Sequence, residues 1–275
     1  MVVHRNPDLS TFELTENTVA VFLTDNKIPL LHEEYGDFGD QGIALLQSAD
    51  TNNYIKDYIV FDCVNEKIPT IEWLKTNYKG EQGFLKGIYI TGSAFDSFSN
   101  DHKWIIELRE LLAQVVSSIE SVDLPPTVGV CFGHQIVSCA AGLKVDRNTK
   151  GCEIGMTNLK LTEEGKKIFP TGDGLWISEI HNDIVYADEL SCGWQNLAST
   201  ELCQNQSFYK PGKLLTFQGH PEFHKGVAKK VYLDFMQSGN VSEETYNRAA
   251  ESCELNPNDG AFMAGAIMKL FKNEI

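Results

Sequence analysis

The chain has 275 residues, enough to bury a full core in one large domain or in a domain with an appendage. Its 38 acidic against 23 basic residues give a net charge of -15, which argues against nucleic acid and anionic membrane as partners, since both select Lys and Arg. Seven scattered cysteines form no C-x-x-C pair, so neither a zinc site nor a disulfide scaffold is indicated.

No N-terminal stretch has the charged start and apolar core of a secretory leader, and no apolar run reaches membrane-spanning length. A reducing, cytoplasmic setting is therefore expected, with neither metal nor cofactor.

Residues 1–17 read as an irregular N-terminal arm. Val19-Ala20-Val21-Phe22-Leu23 then predicts a buried strand. Pro29, Gly36, Gly39 and Gly42 mark a loop running into a helix that ends near Ala49. Tyr58–Phe61 predicts a second strand, and Pro69 with Thr70 opens a helix through Tyr78. Gly87–Thr91 is a third strand, stopped by Gly92-Ser93. From His102 to Glu120, Trp104, Ile105, Leu108, Leu111, Leu112 and Val115 follow a helical period. Pro125-Pro126 breaks that run, and Thr127–Val130 is a fourth strand.

Residues 153–217 are richer in β pattern, with candidate strands at Ile154–Leu161, Leu175–Ile177 and Leu214–Phe217. From Lys225 the pattern is a helix, a loop and two more helices through Phe271. Alternating strands and helices predict an α/β fold, a mainly parallel sheet with helices on both faces. Residues 18–240 read as one domain, with 241–275 a helical extension packed on it. Ligands of such sheets bind beyond the carboxyl ends of the strands.

Gly129-Val130-Cys131-Phe132-Gly133-His134-Gln135 falls at such an end. G-x-C-x-G is the thiol version of the nucleophile elbow, a strand-to-helix turn so tight that glycines must flank the central residue. The turn lifts the sulfur clear of the sheet and aims the positive end of a helix at it, which favours thiolate. A buried cysteine in an ordinary strand–helix corner is the competing explanation.

A thiol nucleophile needs a base, and the base an orienting acceptor. Among His4, His32, His102, His134, His181, His220 and His224, the one in Gly219-His220-Pro221-Glu222 follows a strand. Glu222, across a rigid proline, can accept the proton on the far imidazole nitrogen and fix the tautomer, as the third member of a triad does. His134 is closer to Cys131 in sequence, but on a helix leaving the elbow its side chain turns into packing. His224 falls at a helix start. His181, in Glu179-Ile180-His181-Asn182-Asp183, belongs to a polar cluster able to line a cleft.

Together, Gly129–Gln135 and Gly219–Glu222 resemble the class I (triad) glutamine amidotransferases, in residue order and in strand-end placement, over roughly Val19 to Gln237. That resemblance implies their flavodoxin-like fold and a thioester mechanism, with Cys131 attacking a γ-glutamyl carbonyl, His220 moving the proton and Glu222 orienting His220. It further implies oxyanion donors at the N–H of Phe132 and at the Gly92-Ser93 turn, and it places Gln135 and His181 beside the glutamyl end of the substrate. Thr91-Gly92-Ser93-Ala94-Phe95-Asp96, the segment Asn100–Ile105 and Lys150–Gly155 look like the free-standing branch that includes plant γ-glutamyl peptidases. Ser93 stands where most of the family has glycine, which keeps the backbone donor.

Outside the glutaminase-like region the chain offers too little for an ATP- or PRPP-using domain. The expectation is thus a hydrolase of γ-glutamyl amides, such as glutathione-like γ-glutamyl peptides or glutamine. A glutaminase subunit feeding ammonia to a separate synthase is an alternative, as is a non-catalytic binding protein.

Overall fold

A computed structural model describes the chain except residues 26–28, 80–81, 118–123, 172–173 and 191–192. Cys192 and the end of the helix predicted through Glu120 lie outside the described residues.

The N-terminal half supplies β1 (Val2–Arg5), β2 (Thr18–Leu23), β3 (Asp57–Asp62), β4 (Leu85–Ile90) and β5 (Thr127–Val130). Two short strands, β6 (Lys144–Arg147) and β9 (Asp183–Tyr186), pair with each other as a separate antiparallel ribbon. The rest are β7 (Glu153–Leu161), β8 (Leu175–His181), β10 (Gln195–Ser199), β11 (Ser207–Lys210) and β12 (Leu214–Phe217). The main sheet has the order β1-β3-β2-β4-β5-β12-β11-β10-β7-β8. It is parallel from β1 to β12 and antiparallel from β12 to β8. Within it β3-β2-β4-β5-β12 is the flavodoxin-like order, with its topological switch between β2 and β4.

Side chains alternate across the strands, so Val19, Val21 and Leu23 face one core while Ala20 and Phe22 face the other. The first core is closed by α1 (Pro29–Tyr35), α2 (Phe38–Ala49), α6 (Glu163–Ile168), α7 (Lys225–Gln237), α8 (Glu243–Leu255) and α9 (Gly260–Phe271). The second is closed by α3 (Ile71–Tyr78), α4 (Lys103–Ser117) and α5 (Phe132–Ala140). Each large apolar side chain buried this way contributes about 1.5–3 kcal/mol. A Cβ on Gly87 would lie 2.1 Å from Phe271 Cε1, so α9 seats its last aromatic directly on the backbone of β4.

The mainly parallel α/β expectation therefore holds, with local departures. Residues 2–5, read as irregular, form an edge strand paired with β3, where four residues are too short to display a pattern. The stretch read as a loop after Pro29 is α1, in which Pro29 is the first helical residue and Gly36, at φ 72°, follows the end. The ribbon of β6 and β9 and the strands β10 and β11 carry too little alternation to stand out. No described helix is long and apolar enough to cross a membrane.

Candidate active site

The elbow is built by close approach. β5 ends at Val130, α5 begins at Phe132, and Cys131 between them adopts φ 50°, ψ -103°. Such a conformation costs a non-glycine residue on the order of 1–3 kcal/mol and persists only where the surroundings impose it. They do so through a Cys131 N–H to Phe217 carbonyl bond of 2.8 Å and a Gln135 N–H to Cys131 carbonyl bond of 3.0 Å. A Cβ on Gly129 would lie 2.5 Å from the Gly133 carbonyl carbon, and one on Gly133 would lie 2.6 Å from the Ile90 carbonyl oxygen. Both glycines are required because α5 leaves the sheet against its own strand and its neighbour β4. Cys131 is 6% exposed, with no side-chain cap on the helix behind it, so the N–H groups of the first turn face the thiol end.

His220 arrives on the turn after β12. Its N–H donates to the Ser178 carbonyl of β8 at 2.8 Å. Its Nδ1 donates to Glu222 Oε1 at 2.8 Å, and its ring stacks on Phe223 with centroids 4.0 Å apart. The ring lines the same cleft as Cys131, whose charge acts on it. Burial opposes charge on this imidazole, but the Glu222 carboxylate and the Cys131 sulfur outweigh it and raise the pKa to about 10. Charge favours an imidazolium held against the Glu222 carboxylate, a proton carrier in place.

The Gly92-Ser93 turn faces this pair from the end of β4. A Cβ on Gly92 would lie 2.7 Å from His220 Cε1 and 3.6 Å from Cys131 Cβ. Ser93 Oγ donates to the Thr24 carbonyl at 2.8 Å and accepts from the Phe95 N–H at 3.1 Å. Thr24 Oγ1 bonds the Gly92 carbonyl at 2.9 Å, and Ala94 N–H donates to Asp25 Oδ2 at 2.9 Å. The serine side chain thus anchors the turn to the end of β2, across the topological switch.

Gln135 is buried and donates from Nε2 to the Asp183 carbonyl at 3.1 Å and to Gln218 Oε1 at 3.3 Å. Gln218 Nε2 in turn lies 3.8 Å from Cys131 Sγ. His181 stands at the cleft wall with Nε2 3.3 Å from Glu153 Oε2 and 3.3 Å from Glu179 Oε2. Burial works against its charge, yet these two carboxylates raise its pKa to about 10. His134 is fully buried, 2.8 Å from Thr216 Oγ1 and stacked on Phe208. Burial first, then the charge of His181, lowers its pKa to about 3. Its ring packs beside the elbow, against Thr216 and Phe208.

A cleft of about 560 Å³ opens over Cys131 and His220, walled by Phe38, Ser93, Arg147 and Phe235. Arg147 forks between Asp183 and Asp96, with Nη2 at 2.8 Å from both Asp96 oxygens. No group of three His, Cys, Asp or Glu among the described residues is arranged to hold a metal ion.

The model of the glutamine amidotransferase class-I family matches residues 99–237. A provisionally named glutamine amidotransferase of Saccharomyces cerevisiae is 37% identical over 262 residues, 95% of this chain and 100% of that protein. The chain belongs to the class I glutamine amidotransferase family. Gamma-glutamyl peptidase 2 of Arabidopsis thaliana is 31% identical over 170 residues, 61% of this chain and 65% of the plant protein. Among solved structures, a glutamine amidotransferase of Thermotoga maritima superposes with a TM-score of 0.64 at 16% identity, covering 94% of this chain and all (100%) of that one.

Within this amidotransferase-type site, several neighbours escape a sequence reading. Gln218 directly precedes the Gly219-His220 pair and gives no signal apart from its position after an apolar strand. Arg147 lines the cleft together with carboxylates from distant segments, so no local motif marks it. Phe223 is visible as an aromatic one residue past Glu222, but its stacking on His220 depends on the turn.

Proposed function

We propose that the protein is a cysteine-nucleophile hydrolase of γ-glutamyl amides, glutathione-like γ-glutamyl peptides or glutamine, acting without a cofactor in a reducing cytoplasm. The observation that carries this reading is the imidazole of His220, hydrogen-bonded to the Glu222 carboxylate and facing the same cleft as Cys131 beside the Gly92 turn.

Cys131 Sγ attacks the γ-carbonyl carbon, and the carbonyl oxygen becomes an oxyanion held by the N–H of Phe132 and the Gly92-Ser93 turn. His220 gives its proton to the departing amine nitrogen, the C–N bond breaks, and a γ-glutamyl thioester remains. Water then attacks the thioester as His220 takes a proton from it, the C–S bond breaks, and glutamate leaves. Glu222 keeps the tautomer of His220 constant through both halves. Gln135 and His181 line the wall beside the acyl group, with Gln218 behind, against Cys131. The peptidase reading draws support from the named plant relative and from Ser93 as a side-chain anchor for the oxyanion turn.

The test is an assay of purified protein against glutamine, glutathione and a γ-glutamyl dipeptide, with Cys131→Ser as control. Glutamate release from glutathione without any partner is the expected result. Hydrolysis of glutamine alone, and only with a second protein added, would replace this reading with that of a glutaminase subunit. No turnover above the control would leave a binding protein.

A further inference from the structure

Between α8 and α9 the chain crosses back over the turn that carries His220, through Asn256-Pro257-Asn258-Asp259. Asn258 Nδ2 donates to two carbonyls there, that of His220 at 2.9 Å and that of Phe223 at 2.8 Å. Those carbonyls bracket the segment holding the imidazole, its Glu222 acceptor and the stacked Phe223 ring. The Asn258 Oδ1 atom is buried and has no hydrogen-bond partner. An amide oriented this way commits both N–H groups to the turn and leaves its oxygen desolvated, a costly choice unless the donated bonds matter.

The crossing itself is fastened to β8. Asp259 N–H donates to the Trp176 carbonyl at 2.8 Å, while Asp259 Oδ2 accepts the Trp176 N–H at 2.8 Å. Ser178, two residues along the same strand, holds the His220 N–H at 2.8 Å. A Cβ on Gly260 would lie 2.1 Å from the Pro221 carbonyl oxygen, so the extension runs directly against the turn with no room for a side chain. The backbone of His220 is therefore gripped on its N–H side by β8 and on its carbonyl side by Asn258.

We propose that Asn258 is a positioning residue of the site, setting the His220 imidazole against the Cys131 sulfur by fixing both ends of the His220–Phe223 turn. The C-terminal extension is then part of the catalytic apparatus as well as a cover for the sheet. Misplacement of a reacting group by ~1 Å is enough to cost about a hundredfold in rate. The inference rests on the proposed roles of Cys131 and His220, and one of its readouts needs no substrate.

The experiment compares wild type, Asn258→Ala, Asn258→Ser and Asn258→Asp. Iodoacetamide labelling of the Cys131 peptide is followed by mass spectrometry across pH, alongside kcat and KM on the best γ-glutamyl amide and circular dichroism to check folding. Asn258→Ala should shift the pH profile of Cys131 labelling and lower kcat about ten- to a hundredfold, with KM within about twofold of wild type. Asn258→Ser, with one donor, should fall between, and Asn258→Asp, which turns an acceptor towards the carbonyls, should be the worst. A folded Asn258→Ala whose labelling profile superimposes on wild type overturns the proposal, even if its melting temperature drops. If Asn258→Ala does not fold, Asn258→Ser decides in the same way. Should wild type turn over no γ-glutamyl amide, the function proposed above fails while the labelling profile still judges Asn258.

Discussion

Gly92 presents a bare Cα to the imidazole of His220, and a Cβ there would fall 2.7 Å from Cε1. No flexible side-chain end can yield at that contact, because the ring is held by Glu222 on one side and stacked on Phe223. Gly92→Ala should therefore displace the imidazole or the turn and lower kcat/KM by about a hundredfold. Kinetics on a γ-glutamyl amide, with a far-ultraviolet spectrum unchanged from wild type, checks this.

Cys131 and His220 should behave as one unit. Cys131→Ala and His220→Ala are each expected to lower kcat by several orders of magnitude, and the double variant to be little worse than either. Glu222→Ala should cost less, since Phe223 stacking and the Ser178 carbonyl still hold His220. Additive losses in the double variant would show that the two residues do not share a step.

His181 is a buried cation between Glu153 and Glu179, and its removal strands two carboxylates. His181→Ala should destabilise the fold by about 3–5 kcal/mol, the cost of breaking a buried ion pair from one side. Its pKa is raised to about 10, so its contribution is complete below the ordinary value of 6.5 and is lost as pH rises through about 10. Urea unfolding of wild type and variant at neutral pH and near pH 10 should show the gap narrowing at the alkaline end.

The opposite sign applies to His134. Burial lowers its pKa to about 3, so between there and 6.5 the unfolded chain binds a proton that the folded chain refuses. Stability assigned to this group is intact above 6.5 and declines as pH falls. His134→Gln, which keeps a polar contact for Thr216, should be less stable than wild type at pH 7.5 and lose that disadvantage towards pH 4.5. A gap between the two proteins that stays constant over that range would contradict the assignment.

Part of this fold is written locally, in apolar periodicity and in glycine spacing. Val19–Leu23, Tyr58–Phe61, Gly87–Thr91 and Thr127–Val130 announce buried parallel strands, because both faces of such strands are covered and their residues are mostly apolar. Gly129 and Gly133 mark the elbow because a helix pressed on its own strand leaves no space for Cβ atoms. The Gly219–Glu222 motif marks His220 as the base, and only the folded sheet brings it to the thiol. His220 and His181 carry a carboxylate two residues away in the chain, but long-range packing alone brings the first to the Cys131 cleft, adds Glu153 beside the second and gives His134 a dry wall. The same holds for Gln218 beside Cys131 and for Asn258 beneath His220, whose partners lie 87 and 38 residues away. A hydrogen bond across such separations leaves no period in the sequence, since nothing local constrains either end until the sheet has formed.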